Sequence, residues 1–258
     1  MSHILPNNSK GGKGSDGVDP SIVTTVKVAD PWTVEKALAT ISRPAEGSTS
    51  PIAFFHLLER LKTTKRAGWL RCESVADHSC RMAMMAAVPP PSLAHQLDIA
   101  KCIKMCLFHD TAELLVGDLT PADGVPKTEK HRRETETMSY IEGKVLANVN
   151  AGVAGQEIMA LWREFEDAKS LESRFVQDLD KIELLLQMVE YERRAEGRLD
   201  LSEFTYVKTK VLLPETQAWA EEIIGEREEF RKAHHAVEAG ASDIRMRVMQ
   251  DAYYGNQL

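Results

Sequence analysis

The sequence lacks an excess of basic residues: 32 Lys and Arg stand against 39 Asp and Glu, which gives a net charge of -7. Such a chain has no general surface for a nucleic-acid polymer, so a small anionic ligand would need a local basic pocket. The sequence also lacks a run of about eighteen apolar residues that could span a membrane, and its N-terminus lacks the apolar core of a signal peptide. We therefore expect no nucleic-acid polymer and no membrane as partner, and a cytoplasmic location, with a nuclear one left open.

Cysteine is scarce too. The four cysteines, Cys72, Cys80, Cys102 and Cys106, form no CxxC pair. Most of them fall in predicted helices beside apolar neighbours, so we expect reduced thiols that pack in the core.

No stretch of the chain shows the alternation of apolar and polar residues that is typical of strands; helical periodicity recurs instead. Helices are predicted over residues 52–62, 75–88, 93–116, 128–149, 154–165, 170–196, 202–209 and 214–238. The prolines at 89–91 are expected to end the second helix, and Gly117 to end the third as a left-handed cap. The sequence therefore predicts an all-α fold, a single bundle of helices.

Composition divides the chain into three segments. Residues 1–51 form a predicted N-terminal extension, largely disordered because its first part is poor in large apolar groups, with a short helix expected within 30–42. Residues 52–225 are the predicted globular domain. Residues 226–258 are predicted to form a charged helix and tail.

A cluster of ionisable residues lies inside one of the apolar helical patterns. His109 and Asp110 are followed by Glu113, and then by Gly117 and Asp118. On a continuous helix, Glu113 would share one side with His109 and Asp110 because residues three and four apart are neighbours. An isolated His-Asp pair is more often a hydrogen-bonded core feature than a ligand set, so further ligands are needed for a metal site.

A second histidine lies at the start of another predicted helix. Ser74 followed by Asp77 resembles a capping box, which places His78 in the first turn. Val75 at i−3 and Met82 at i+4 indicate that His78 points inward. Two inward histidines on consecutive helices favour a shared ion.

The residues after Arg174 contain two aspartates with different neighbours. Asp178 has Arg174 at i−4 and Lys181 at i+3, which is typical of a solvated, ion-paired face. Asp180 instead lies on an apolar stripe, where a carboxylate needs a partner such as a metal ion. The basic run Lys127, Lys130, His131, Arg132 and Arg133 is predicted to be a solvated helix face without a catalytic role.

His78, the His109-Asp110 doublet and Asp180 match, in order, the H…HD…D pattern of the HD superfamily of metal-dependent phosphohydrolases. The segments 73–79, 109–123 and 126–134 resemble the eukaryotic HD-domain 5′-deoxynucleotidases and, more distantly, bacterial 5′-nucleotidases. The resemblance runs from about residue 52 to 224. It implies an all-helical HD domain with the metal site between helices.

The resemblance also implies roles for individual residues. His78, His109, Asp110 and Asp180 would hold one divalent cation, which the mixed nitrogen and oxygen donors leave open as Mn, Co, Zn, Fe or Mg. Glu113 would be the catalytic acid or base. Glu113, Asp118 and the Leu119 carbonyl would hold a second cation.

The implied substrate is a deoxyribonucleoside 5′-monophosphate, and the implied assembly is a homodimer. Arg66 would contact the phosphate and Asp118 the deoxyribose. Trp69 is a further candidate for substrate binding: in the bacterial relatives a tryptophan directly follows the arginine, whereas here Trp69 comes three residues after Arg66.

Two alternatives remain open. One is a different HD phosphohydrolase, acting on a cyclic nucleotide or guanosine tetraphosphate, although the GYP-type motif of cyclic-dinucleotide enzymes is absent. The other is a non-catalytic protein that binds a metal or a nucleotide. The presence of Glu113 favours catalysis.

Overall fold

Residues 31–66, 73–120 and 123–234 are described by a computed structural model, and this part of the chain contains no β-strand. This confirms the predicted all-α class. The α-helices are α1 (Val34–Ala39), α2 (Ile52–Thr63), α3 (Val75–Ala86), α4 (Ile99–Phe108), α5 (Glu113–Val116), α6 (Lys127–Tyr140), α7 (Val153–Asp167), α8 (Leu171–Arg194) and α9 (Pro214–Ala233). A π-helical turn, Ile141–Val145, continues α6, and 3-10 segments occupy Val149–Gly152 and Ser202–Lys210.

Helix α8 is the central element, and it packs against α3, α4, α7 and α9. Its buried apolar side chains recur at helical spacing, as at Phe175, Leu179 and Ile182. Burying a large apolar side chain stabilises a fold by about 1.5–3 kcal/mol, so this stripe fixes the position of α8. Asp180 and Glu183 are carried on the same rigid helix.

Helix α3 begins where the sequence predicts. The Ser74 hydroxyl accepts a hydrogen bond from the Asp77 amide, and the Asp77 carboxylate accepts one from the Ser74 amide, which completes a capping box. The helix buries Val75, His78 and Met82 against its neighbours. The cap therefore places His78 inside the bundle.

The prediction of one continuous helix over residues 93–116 is wrong, because this segment contains two helices, α4 and α5. Asp98 caps the start of α4, which ends at Phe108, and residues 109–112 form a tight turn before α5. In that turn the Thr111 and Glu113 amides donate to the carbonyls of Phe108 and Asp110, three residues back. Gly117 ends α5 with a positive φ of 79°, but its ψ of 166° differs from that of a left-handed cap.

The segment predicted as an N-terminal extension contributes side chains to the core. Val34 and Leu38 of α1 are buried in the same apolar cluster as Leu57 and Ile141. The boundary of the domain itself stays a prediction. Residues 1–30 and 235–258, including most of the predicted tail, lie outside the described residues.

The cysteine prediction holds for only part of the set. Cys102 and Cys106 are buried in the core, whereas Cys80 is exposed because it lies on the outer side of α3, and Cys72 is outside the described residues. Among the helices that the structure describes, none has the length and apolar character needed to cross a bilayer.

Candidate metal centre and substrate cavity

His78 is held on both sides of its ring by carboxylates of α8. Its Nδ1 lies 2.6 Å from Glu183 Oε2, and its Nε2 lies 3.2 Å from Asp180 Oδ1. The His78 and Glu183 side chains are fully buried. An ionised carboxylate can only accept a hydrogen bond, so Nδ1–H donates to Glu183 and Nε2 is left as the atom that faces the site.

His109 lies in the turn after α4, where a backbone carbonyl fixes its ring. Its Nδ1 donates to the Cys106 carbonyl at 2.8 Å, which leaves the Nε2 lone pair available. The ring also packs against Phe165, with centroids 4.9 Å apart. The centroids of the His78 and His109 rings are 5.4 Å apart, so the two imidazoles face one centre.

The carboxylates of Asp110 and Asp180 complete this centre. Asp110 Oδ2 lies 3.1 Å from His109 Nε2 and 3.9 Å from His78 Nε2. Ligand atoms of His78, His109 and Asp110 all lie within 4.8 Å of one another. The structure therefore brings together all four residues that the sequence assigned to a metal.

A divalent cation fits this donor set on an observation independent of the motif. The Nε2 atoms of His78 and His109 are buried, and each lies 3.1–3.2 Å from a carboxylate oxygen, yet among the described residues neither makes a contact with hydrogen-bond geometry. Buried polar atoms are rarely left unpaired, because an unsatisfied buried group costs about 1–3 kcal/mol. Two such nitrogens beside two carboxylates are the ligands of a closely spaced mixed site.

The pKa values of Asp110 and Glu113 depart from their ordinary values in opposite directions. Burial raises the pKa of Glu113 well above its ordinary value, and the nearby charges of Asp110 and Asp118 raise it further. Burial also acts to raise the pKa of Asp110, but its close contact with His109 outweighs burial and holds the pKa below its ordinary value. Opposed pKa values in neighbouring carboxyl groups are typical of one ligand and one proton donor.

Arg66 reaches the centre from the segment after α2. Its Nη1 lies 3.9 Å from Asp110 Oδ2, and its side chain is only 13% exposed. Backbone pairing between Arg66 and Glu73 holds this segment next to the start of α3. Trp69, the other residue predicted on this segment, lies outside the described residues.

At the predicted second cation site, a lysine already donates a hydrogen bond to one of the three predicted ligands. The Leu119 carbonyl accepts a hydrogen bond from Lys130 Nζ at 3.1 Å. Glu113 and Asp118 line the same cavity as Leu119. The structure thus brings the three predicted ligands together but directs an ammonium group to the carbonyl.

A cavity of about 320 Å³ opens next to the centre. His78 lies behind its wall, whereas Arg66, His109, Asp110, Glu113, Asp118 and Asp180 line it. The rest of the wall includes Leu119, Lys127, Lys130, His131, Glu134, Trp162, Phe165, Glu166, Gln177, Lys181, Leu184, Phe204, Val207 and Lys210. Charged groups and apolar surface therefore share one cavity, as in sites that bind small polar ligands.

The prediction for Asp178 is wrong. Its side chain is fully buried and accepts hydrogen bonds from the amides of Leu212 and Leu213 and from the Thr216 hydroxyl, all within 2.8 Å. It therefore anchors the start of α9. Arg174 donates to the Ala168 carbonyl instead.

The prediction for the basic run is confirmed only in part, because three of its five members line the cavity. Arg132, whose side chain is 45% exposed, pairs with glutamates of α6 as expected for a solvated surface, whereas Arg133 pairs with Glu129 but is only 17% exposed. Lys127, Lys130 and His131 instead line the cavity. The helix turns by about 100° per residue, so consecutive residues of one run point in different directions.

Lys181 was likewise expected at the surface, as a partner of Asp178. It lines the cavity, and its Nζ donates to the Gln177 carbonyl at 2.8 Å. Burial lowers the pKa of Lys181 from its ordinary value. Sequence reasoning also missed Glu183, although its position three residues after Asp180 on an apolar stripe was a signal that could have identified it.

Comparison with known proteins agrees with this geometry. Residues 58–219 match the HD domain family. The chain is 40% identical over 192 residues to "5'-deoxynucleotidase hdd1" of Schizosaccharomyces pombe, a match that covers 72% of this chain and 94% of the relative. It is 41% identical over 151 residues to "5'-deoxynucleotidase HDDC2" of Homo sapiens, which covers 57% of this chain and 70% of that protein.

A solved structure shares the arrangement of helices. The "HD domain-containing protein YGK1(YGL101W)" superposes with a TM-score of 0.59 at 30% identity, and the match covers 78% of this chain and all of that one. The curated protein of the same name in Saccharomyces cerevisiae is a "5'-deoxynucleotidase YGK1", 36% identical over 75% of this chain and 89% of its own.

Proposed function

Because the chain belongs to the HD domain family, we propose that it is a metal-dependent phosphatase acting on deoxyribonucleoside 5′-monophosphates. The products are a deoxyribonucleoside and phosphate. Relatives at 35–41% identity carry the name 5′-deoxynucleotidase, and this name supports the substrate class.

One observation carries the proposal beyond family membership. Nε2 of His78 and Nε2 of His109 are buried and lie 3.1–3.2 Å from two carboxylates, without hydrogen-bond geometry to any group in the described part of the chain. A merely structural histidine pair would satisfy these nitrogens within the protein. We infer that His78, His109, Asp110 and Asp180 hold a divalent cation.

A bound divalent cation lowers the pKa of water and neutralises charge on phosphoryl oxygens. The residues of the chain supply position and proton transfer. Arg66 lies next to Asp110 and orients the phosphate dianion, since phosphoryl transfer depends on positioning and electrostatics. Glu113, buried in the same wall, accepts a proton from the attacking water or delivers one to the leaving 5′-oxygen.

Asp118 supports selectivity for the deoxyribose. It follows Gly117 at the end of α5 and lines the cavity beyond Glu113. A carboxylate there accepts a hydrogen bond from the sugar 3′-hydroxyl, and a wall close to C2′ would exclude a 2′-hydroxyl by crowding. We infer that Asp118 holds the sugar by its 3′-hydroxyl so that a 2′-hydroxyl would meet this wall, which favours deoxyribonucleotides over ribonucleotides.

The number and identity of the cations are finer points of the proposal. The donor set suits Mn, Co, Zn, Fe or Mg. A second cation at Glu113, Asp118 and the Leu119 carbonyl would have to displace the ammonium of Lys130 from that carbonyl. The proposal therefore places one cation at the histidines and makes a second one dependent on movement of Lys130.

Assembly and location are also part of the proposal. A homodimer is expected from the family resemblance, and a cytoplasmic location from the composition. Sedimentation of the full chain and fractionation of cells that produce it test these two predictions. A monomer at micromolar concentration would overturn the first.

The proposal is tested by measuring phosphate release from a panel of nucleotides after loading the full chain with each metal in turn. We expect release from the 5′-deoxyribonucleoside monophosphates. Hydrolysis of a cyclic nucleotide or guanosine tetraphosphate, without release from any 5′-deoxyribonucleotide, would favour another HD phosphohydrolase. Nucleotide or metal binding without release from any substrate would favour the non-catalytic alternative.

A further inference from the structure

His131 lines the substrate cavity, and its ring is supported on one face. The ring is stacked on Trp162, with centroids 5.9 Å apart and planes 17° apart. Trp162 is 3% exposed, whereas the His131 side chain is 57% exposed. The indole is therefore a fixed backing for an imidazole that is itself open to solvent.

A second contact fixes the orientation of the ring. Nδ1 of His131 lies 3.2 Å from Glu166 Oε2, on α7, the helix that also carries Trp162. Two contacts from one helix leave the ring little freedom to turn. A flat surface that is already ordered loses little entropy when a second ring stacks on it.

The position of His131 relates this surface to the reaction. His131 lines the same cavity as His109, Asp110 and Asp180. Phe165, Leu184 and Phe204 add apolar wall to that cavity. A nucleotide whose phosphate lies at Arg66 and whose sugar lies at Asp118 must place its base against some part of the remaining wall.

We propose that His131, backed by Trp162, is the stacking surface for the nucleobase of the substrate. This inference rests on the proposed function and adds a base subsite to it. Stacking recognises the π-face that every base has, so it gives affinity with little discrimination among bases.

A cation site is the competing explanation of the same residues. His131, Glu134 and Glu166 each offer a ligand atom, and the three atoms lie within 4.8 Å of one another. Lys130 Nζ already lies 3.6 Å from Glu134 Oε1, so an ammonium charge offsets the carboxylate. The ammonium weakens the attraction of this cluster for a divalent cation, which favours the stacking role.

The test compares a nucleotide with its abasic counterpart. KM and kcat are measured for dAMP and for 2-deoxyribose 5-phosphate with the wild type, His131→Ala and His131→Phe. We expect His131→Ala to raise KM for dAMP by about tenfold, the loss of one stacking contact, with kcat and the abasic substrate little changed. His131→Phe should restore most of the affinity because it keeps a planar ring.

The matched control is His56→Ala, since His56 is an exposed histidine of α2 that does not line the cavity. Equal increases in KM for dAMP and the abasic substrate, or no increase for either, would overturn the stacking role. Loss of one bound equivalent of Mn²⁺ from His131→Ala in a His109→Ala background would replace it with a cation site.

Calorimetry of dAMP binding separates this inference from the proposed function. A wild type that binds dAMP through His131 but releases no phosphate would contradict only the proposed function. A wild type that releases phosphate while His131→Ala binds dAMP equally well would contradict only the base subsite.

Discussion

Nδ1 of His78 lies 2.6 Å from Oε2 of Glu183, and both side chains are fully buried. The contact joins the first turn of α3 to the centre of α8, so the packing of two helices sets the direction of one imidazole. Partners of this kind raise the basicity of a ligating histidine and fix its tautomer. Glu183 is therefore a positioning residue for the metal centre.

Replacing Glu183 with Gln is expected to weaken metal binding by about 10–100-fold, because the partner of Nδ1 loses its charge. Calorimetric titration of metal-free protein with Mn²⁺ measures the affinity. Glu172→Gln is the control, since Glu172 lies on the same helix as Glu183 but pairs with Lys101 of α4. Equal affinity in Glu183→Gln and the wild type would remove Glu183 from the site.

Substitutions of the two aspartates of α8 should have different effects, one on metal binding and the other on stability. Asp180→Ala is expected to lose the bound metal, as measured by elemental analysis, with little change in the stability of metal-free protein. Asp178→Ala is expected to lower the free energy of unfolding by about 2–4 kcal/mol, because two amides and a hydroxyl at the start of α9 lose their acceptor. A metal-free Asp178→Ala protein as stable as the wild type would contradict the anchoring role.

Glu134 should make stability depend on pH. Burial raises its pKa from an ordinary 4.5 to about 7 despite the opposing charge of Lys130. The folded state then binds a proton that the unfolded state has released, so the stabilising contribution is complete below about pH 4.5 and is lost as pH rises through about 7.

Relative to Glu134→Gln, the wild type should therefore lose up to about 3 kcal/mol of unfolding free energy between pH 4.5 and 7, with no further loss above. Urea denaturation at a series of pH values measures the difference. Glu157→Gln, an exposed change on α7, provides the baseline. A constant difference between Glu134→Gln and the wild type across this range would contradict the prediction.

Asp118 should control the choice of sugar. The wild type is expected to release phosphate far faster from 5′-deoxyribonucleotides than from ribonucleotides or 3′-monophosphates. Asp118→Ala should reduce the ratio of kcat/KM for dAMP to that for AMP, because a sugar no longer held by its 3′-hydroxyl can shift and relieve the crowding of a 2′-hydroxyl. An unchanged ratio would reduce Asp118 to cation binding or helix termination.

The helical class and the positions of the ligand residues follow from local patterns. Apolar periodicity predicts most helices, and the capping box at Ser74 predicts that His78 points inward. The turn at residues 109–112 could not be predicted from such patterns. Four residues are too few for the apolar periodicity to distinguish a 3-10 turn from an α-helix.

The roles of residues whose partners lie far away along the chain could not be predicted from the sequence. Asp178 has charged neighbours at helical spacing, yet its partners come from residues 212–216, more than thirty positions away. His131 belongs to a charged run, but Trp162 and Glu166 of α7 contact its ring and place it in the wall of the cavity. The spacing of residues along the chain identifies neighbours on the same helix, but it does not predict which residues of another helix pack against them.

The measurement that tests the central claim most directly is phosphate release from dAMP by three preparations: metal-loaded wild type, metal-stripped wild type and metal-loaded Glu113→Gln. We predict turnover by the first and none by the second. The third should retain its metal and turn over about 10²–10⁴-fold more slowly, because it lacks the acid or base. Full activity in the stripped enzyme would contradict metal dependence, and full activity in Glu113→Gln would contradict the role of Glu113.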